Sequence, residues 1–187
     1  MTSLFRLRHI PRMRSFLAVF TAILTQGVFT LSAQAGADFA SVAEAEAFLR
    51  EELPKITAAN PHYITKADGT DTQWLTKAIA FDGPRVKMDE VFLQKKKGAA
   101  EVATNTHRAE FSLKDVRLED IPDFGDVTPS GEMAKGVLFQ CVRPGCVMSA
   151  WNGVAQMADH TDISIQDEAS RVKIRAAFAY LKRAAER

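Results

Sequence analysis

The sequence predicts an α+β domain, a small antiparallel bent sheet or barrel closed by a C-terminal helix, with an extra helix on its N-terminal side. Three observations predict it. Between residues 73 and 165, apolar residues recur at every second position in short runs separated by turn residues, as in strands covered on one face. The last twenty residues carry helical periodicity, with acidic residues at their start and basic ones at their end. Within the strand region stand two cysteines, Cys141 and Cys146, flanked by the apolar runs Val137-Leu138-Phe139 and Val147-Met148.

The N-terminal stretch is an address. Arg6, Arg8, Arg12 and Arg14 precede an apolar run from Phe16 to Ala33 and the small-residue triplet Ala33-Gln34-Ala35, the layout of a secretory signal peptide cleaved after Ala35. A membrane anchor is the rival reading, but Thr25-Gln26-Gly27 breaks the run and no basic residues close it. Cleavage leaves 152 of 187 residues, removing four of the 24 basic residues and none of the 23 acidic ones, for a net charge of −3. That balance excludes a basic nucleic-acid footprint. No second membrane-length apolar run follows, so the expected product is a periplasmic or secreted protein without a transmembrane segment.

In chain order, Ser41-Val42-Ala43-Glu44 has the spacing of a capping box, and Val42, Ala45, Phe48, Leu49 and Leu53 then recur at helical spacing. Pro54 is expected to end this helix or to start a second turn through Ala59. Lys66 to Asp71 reads as a polar turn. Leu75, Ile79 and Phe81 alternate with Thr76, Ala78 and Ala80 up to the turn Asp82-Gly83-Pro84. Val86, Met88, Val91 and Leu93 follow, with a slip of parity at Asp89-Glu90 that suggests a bulge or bend. Ala109, Phe111 and Leu113 form a half-buried strand, and a connection from Ile121 to Gly136 leads to the cysteine segment. Placed as a hairpin, that segment sets Cys141 opposite Cys146 and Phe139 opposite Met148, with Pro144 and Gly145 at the second and third positions of a type II turn. Trp151-Asn152-Gly153 ends the hairpin, and Asp159 to Asp162 introduces a short strand, Ile163 to Ile165. Asp167 caps the final helix, whose apolar stripe is Ile174, Phe178, Leu181 and Ala185.

The run Phe111-Ser112-Leu113-Lys114-Asp115-Val116, the cysteine hairpin and the closing helix Ala169 to Ala185 follow one another in an order that resembles a pleckstrin-homology-like barrel, in which the helix plugs one end of a bent sheet. The resemblance spans residues 73–187 and rests on element order alone. It divides the chain into a signal peptide (1–35), an N-terminal helical segment (36–72) and the barrel-like domain (73–187).

Two cysteines close in sequence in an exported chain point to a disulfide, Cys141–Cys146. A redox pair fits less well, because four residues rather than two intervene and no helix start follows. Of the histidines after the cleavage site, His107 beside Arg108 reads as solvated, and His160 lies in the polar turn Asp159-His160-Thr161-Asp162, where turn chemistry accounts for the aspartates without a metal. Glu51-Glu52 and Asp89-Glu90 are sequence neighbours, so on regular elements they point apart and read as solvated. Trp74 and Trp151 read as core or rim packing. Catalytic motifs with a local signature are missing, and neither a cofactor nor a metal is expected. Arg85, Lys87, Lys95, Lys96 and Lys97 form the compact basic cluster, a possible site for an anion or a lipid head group, although a lysine tip also serves to solubilise a turn.

The function expected from these features is a non-enzymatic domain of the periplasm or cell envelope that binds a protein or peptide, using a sheet edge by strand addition or a groove beside the closing helix. A lipid or small-molecule module using the barrel mouth is the first alternative. An enzyme without a local motif is the second.

Overall fold

The computed structural model describes residues 39–59, 62–65, 70–96, 102–120 and 135–187. The expected signal segment, the turn at 66–69, Lys97 with the turn after it, and most of the 121–136 connection lie outside the described residues.

The N-terminal helix α1 (Val42–Ala59) starts as its sequence demands: the Ser41 hydroxyl accepts the Glu44 N–H (3.1 Å). The Glu44 carboxylate reaches back to the Ala40 N–H (2.7 Å), one residue before the expected partner. Pro54 does not end the helix, which continues to Ala59. Packing overrides the lost backbone donor, because Ala45, Leu49, Leu53 and Thr57 form one buried stripe that spans the proline. Thr57 then locks the last turn, its hydroxyl donating to the Leu53 carbonyl (3.1 Å) and accepting the Thr76 N–H (3.1 Å).

The strands are β1 (His62–Thr65), β2 (Thr70–Asp82), β3 (Arg85–Lys96), β4 (Ala103–Ser112), β5 (Val116–Asp120), β6 (Gly136–Cys141), β7 (Val147–Trp151), β8 (Val154–Ala158) and β9 (His160–Ser164), followed by helix α2 (Glu168–Ala185). Among the described residues all pairings are antiparallel and fall into two sheets, a six-stranded one in the order β1-β2-β3-β4-β7-β8 and a three-stranded one in the order β5-β6-β9. The α+β class and the flanking helices stand. The barrel does not: the two sheets are not closed on one another, because each ends in its own edge strands.

The expected hairpin is also corrected. β6 spends its two edges on β5 and β9, and β7 spends its own on β4 and β8, so Phe139 pairs with Leu118 and Thr161 rather than with Met148. Residues 142–146 form a corner that carries the chain from the small sheet to the large one. Cys141 and Cys146 close that corner, with their sulfurs 2.07 Å apart and their Cα atoms 5.6 Å apart, at disulfide distance. Gly145 takes a positive φ of 74°, as the Pro-Gly turn requires. The corner's donors are met from outside it: Cys141 N–H by the Asp159 carbonyl (2.8 Å), Val142 N–H by the Asp115 carbonyl (2.8 Å) and Gly145 N–H by the Asp159 carboxylate (2.7 Å).

Asn152-Gly153 does not end the sheet but turns it. Both residues have positive φ (48° and 85°), the requirement of a type I′ two-residue turn, and they join β7 to the unforeseen strand β8. The parity slip at Asp89-Glu90 has a different cause from the one expected. β3 alternates without interruption, burying Val86, Met88, Glu90 and Phe92, and the bulge lies on its partner β2 between Thr76 and Ala78.

One apolar core joins the layers. α1 contributes Leu49 and Leu53, the large sheet Ile79, Met88 and Val147, the small sheet Val137, Phe139 and Ile163, and α2 Ile174, Phe178 and Leu181. Phe139 is its centre, with ring centroids 4.8 Å from both Phe111 and Phe178. α1, which the pleckstrin-homology pattern leaves without a place, packs on β2 and α2. Asp167 caps α2 by accepting the Ser170 N–H (2.7 Å), and the Ser170 donors hold its carboxyl below the usual range. Among the described residues no helix is long and apolar enough to cross a membrane.

Replacing both cysteines with serine should leave the far-UV circular dichroism unchanged and lower the unfolding free energy in urea by about 2 kcal/mol, the loop-closure value for so short a ring. No measurable loss would mean that the contacts of Asp115 and Asp159 hold the corner without the cross-link.

Candidate functional site

Three neighbouring strands of the large sheet break the apolar rule on their inner face. β3 buries Val86 and Met88 and then Glu90; β4 buries Phe111 and Ala109 and then His107; β7 buries Val147 and then Ser149. Register brings these exceptions together, since Glu90 pairs with His107, His107 with Trp151, and Ala109 with Ser149. The result is a hydrogen-bonded row: Glu90 Oε2 lies 2.8 Å from His107 Nδ1, and His107 Nε2 lies 2.9 Å from Ser149 Oγ. All three are buried, with exposures of 3%, 6% and 5%. The Trp151 ring stacks on His107 with centroids 4.4 Å apart, Phe92 lies 4.6 Å from Trp151, and Trp74 meets Phe92 and Trp151 edge-on.

His107 is therefore not solvated, and of the adjacent pair Asp89-Glu90 only Asp89 reaches the surface. Burial pushes the Glu90 carboxyl above the usual glutamate range, against the hydrogen bond and the charge of His107, which favour its ionised form. With a proton on Nδ1, the ring donates to Glu90 and accepts the Ser149 hydroxyl at Nε2, the same order of roles as in an acyl-transfer triad. The surroundings are not those of a nucleophile. Ser149 sits mid-strand between Ala109 and Gln156, so the neighbouring backbone donors are in ladder positions rather than free for an oxyanion, and its side chain is sealed from solvent. The row is a buried hydrogen-bonded network that ties β3, β4 and β7 together.

The other face of the same strands is open. Arg108 Nε donates to Asp89 Oδ1 (2.6 Å), and Lys87 lies 3.5 Å from Glu110. Beside these pairs runs a groove of about 490 Å³ bordered by Lys77, Arg108, Met148 and Ala155, and also by Glu90 and His107 of the buried row. Ala155 of β8 borders it; β8 is the edge of the sheet among the described residues, carries no charge and no proline, and leaves Val154 73% and Met157 62% exposed. Sequence reasoning passed over this strand although Asn-Gly between apolar residues is the strongest short hairpin signal.

Among the described residues, Arg85 and Lys87 of the expected basic cluster stand apart from Lys95 and Lys96. Arg85 and Lys95 stand ten positions apart on the single strand β3, a span of roughly 33 Å. Arg85 and Lys87 line a second pocket of about 430 Å³ that also holds Asp82 and Glu110. Lys95 and Lys96 are exposed at the other end of the strand. His160 is exposed at the start of β9, and no group of three metal-ligating side chains exists among the described residues. His62 falls on β1, whose side chains lie outside the described residues. No protein-family model, curated protein or solved structure matches this chain.

Because Glu90 holds its proton more tightly folded than unfolded, the native state binds more protons than the unfolded state above the ordinary glutamate value of about 4.3. The stability linked to Glu90 should therefore fall as pH rises from that value through the raised one. Glu90→Gln should flatten this fall, whereas Glu90→Ala, which leaves the buried His107 Nδ1 without its partner, should cost about 3 kcal/mol. Urea titrations from pH 4 to 8 decide the matter; parallel curves for the wild type and the glutamine variant would overturn the assignment.

Proposed function

We propose that this chain is an exported, non-enzymatic domain of the periplasm or cell envelope that binds a protein or peptide by taking an extended segment as an added strand on β8. The observation that carries the reading is the β8 edge, which no lysine, proline or bulge guards among the described residues. Natural sheets blunt their edges with lysine, proline, bulges or a covering element, and Val154-Ala155-Gln156-Met157-Ala158 has none of these side chains and two of the most exposed apolar residues described. In a two-residue hairpin, Trp151 and Val154 exchange hydrogen bonds, so by alternation Gln156 turns its backbone toward β7 while Ala155 and Met157 offer theirs outward. A segment pairing there would lay alternate side chains over Met157, Ala155 and the groove, which favours apolar residues at every second position.

The address-like N-terminal stretch and the cysteine pair support export. The succession of antiparallel strands and a terminal helix supports a pleckstrin-homology-like plan for residues 73–187, in an open form. A lipid or small-molecule module at a barrel mouth is less favoured because the sheets are not closed, and an enzyme because Ser149 is buried mid-strand with its neighbouring backbone donors in ladder positions.

Selection of a displayed peptide library on the chain lacking residues 1–35 should enrich segments with alternating apolar residues. Ala155→Pro removes an outward donor while sparing the ladder to β7, and should weaken such a peptide by about tenfold, the value of one or two lost hydrogen bonds. Enriched peptides that bind the proline variant equally well would place the binding surface elsewhere.

A further inference from the structure

We infer that, when no foreign segment occupies it, the β8 edge is covered by β8 of a second copy of this chain, paired antiparallel about Gln156. This rests on the reading of β8 as a strand-addition edge and names an occupant for it. The strand is short enough for every register to be checked, and one stands out as self-complementary. With Gln156 opposite Gln156 of the second copy, Ala155 falls opposite Met157, Met157 opposite Ala155, and Val154 opposite Ala158, so that each large exposed side chain meets a small one.

The backbone agrees with the side chains. Ala155 and Met157 are the residues whose N–H and C=O groups face outward, and in this register they are the residues that oppose one another, so two pairs each exchange two hydrogen bonds. Gln156, on the two-fold axis, occupies the non-hydrogen-bonded position, where opposed side chains approach most closely. Shifting the register to centre on Met157 would stack the two methionines and leave Val154 and Ala155 unpaired. No charged residue lies on β8, so a two-fold axis sets no like charges against each other along the strand.

Five residues a side make a small interface, well below the area of a permanent dimer, so the pairing is transient, with a Kd on the order of 0.1 mM. A weak contact of this kind shields an apolar edge at high local concentration and yields to a better-fitting strand. Gln156 is exposed, so the register can be tested there without touching the core.

Sedimentation velocity on the chain lacking residues 1–35, between about 5 and 500 μM to bracket that Kd, should show a concentration-dependent dimer. Gln156→Lys and Gln156→Glu should each weaken it at least tenfold, by setting like charges across the axis, and mixing the two variants should restore association. A chain that stays monomeric throughout would overturn the inference, as would a dimer indifferent to both substitutions or variants that fail to rescue one another. The binding reading is scored separately, by whether a selected peptide binds monomeric Gln156→Lys in a manner sensitive to Ala155→Pro.

Discussion

Between Cys141 and Cys146 the chain leaves one sheet and enters the other, and most of what is distinctive in this molecule depends on that corner. Had the two apolar runs paired as a hairpin, β6 would have taken one of the two edges of β7 that β4 and β8 now occupy. Tight crossings of this kind are costly because the backbone groups at the bend leave both ladders at once. Here Asp115 and Asp159, from the ends of β5 and β8, supply the acceptors that the bend requires. The cross-link removes freedom from the unfolded chain at the same place, so covalent and hydrogen-bonded constraints act on one set of residues.

The corner also decides what the large sheet can do with its two faces. Alternation sends Asp89 outward to Arg108 and Glu90 inward to His107, so neighbouring carboxylates have opposite fates. An inward acid is expensive, and a buried pair is weak evidence of stability, because an apolar pair of the same shape often does as well. What the row supplies is register. A one-residue slip of β4 against β3 or β7 would bury unpaired polar groups in place of matched ones, a penalty that an apolar face cannot impose.

Much of this was legible in the sequence where the determinants are local. The caps of both helices, the stripe of α2, the Pro144-Gly145 turn and the cysteine pair depend on residues within a few positions of each other. Each follows from backbone chemistry that tertiary contacts do not override. The failures share an origin in partners far away in sequence. Glu90 looked like a break in the pattern because its compensating group, His107, stands on another strand; scored as buried, it restores strict alternation through Val86, Met88 and Phe92. The spacing of the cysteines fits a hairpin and a corner equally well, and only the demands of β4, β5, β8 and β9 choose between them. Pro54 failed as a stop signal because Leu53 and Thr57 are buried on either side of it.

The last step concerns why an edge such as β8 persists. A strand of five residues hung on a type I′ turn strengthens its sheet only slightly, since Val154, Ala155, Gln156 and Met157 all remain exposed on it. A single lysine at Gln156 or Met157 would guard it at almost no cost to the fold, because neither side chain contributes to the core. The absence of that inexpensive protection, on the strand that flanks Ser149 and touches the groove at Ala155, is hard to account for by stability. It is accounted for if the edge must remain able to pair, and the weak two-fold contact about Gln156 then supplies protection that a competing strand can remove.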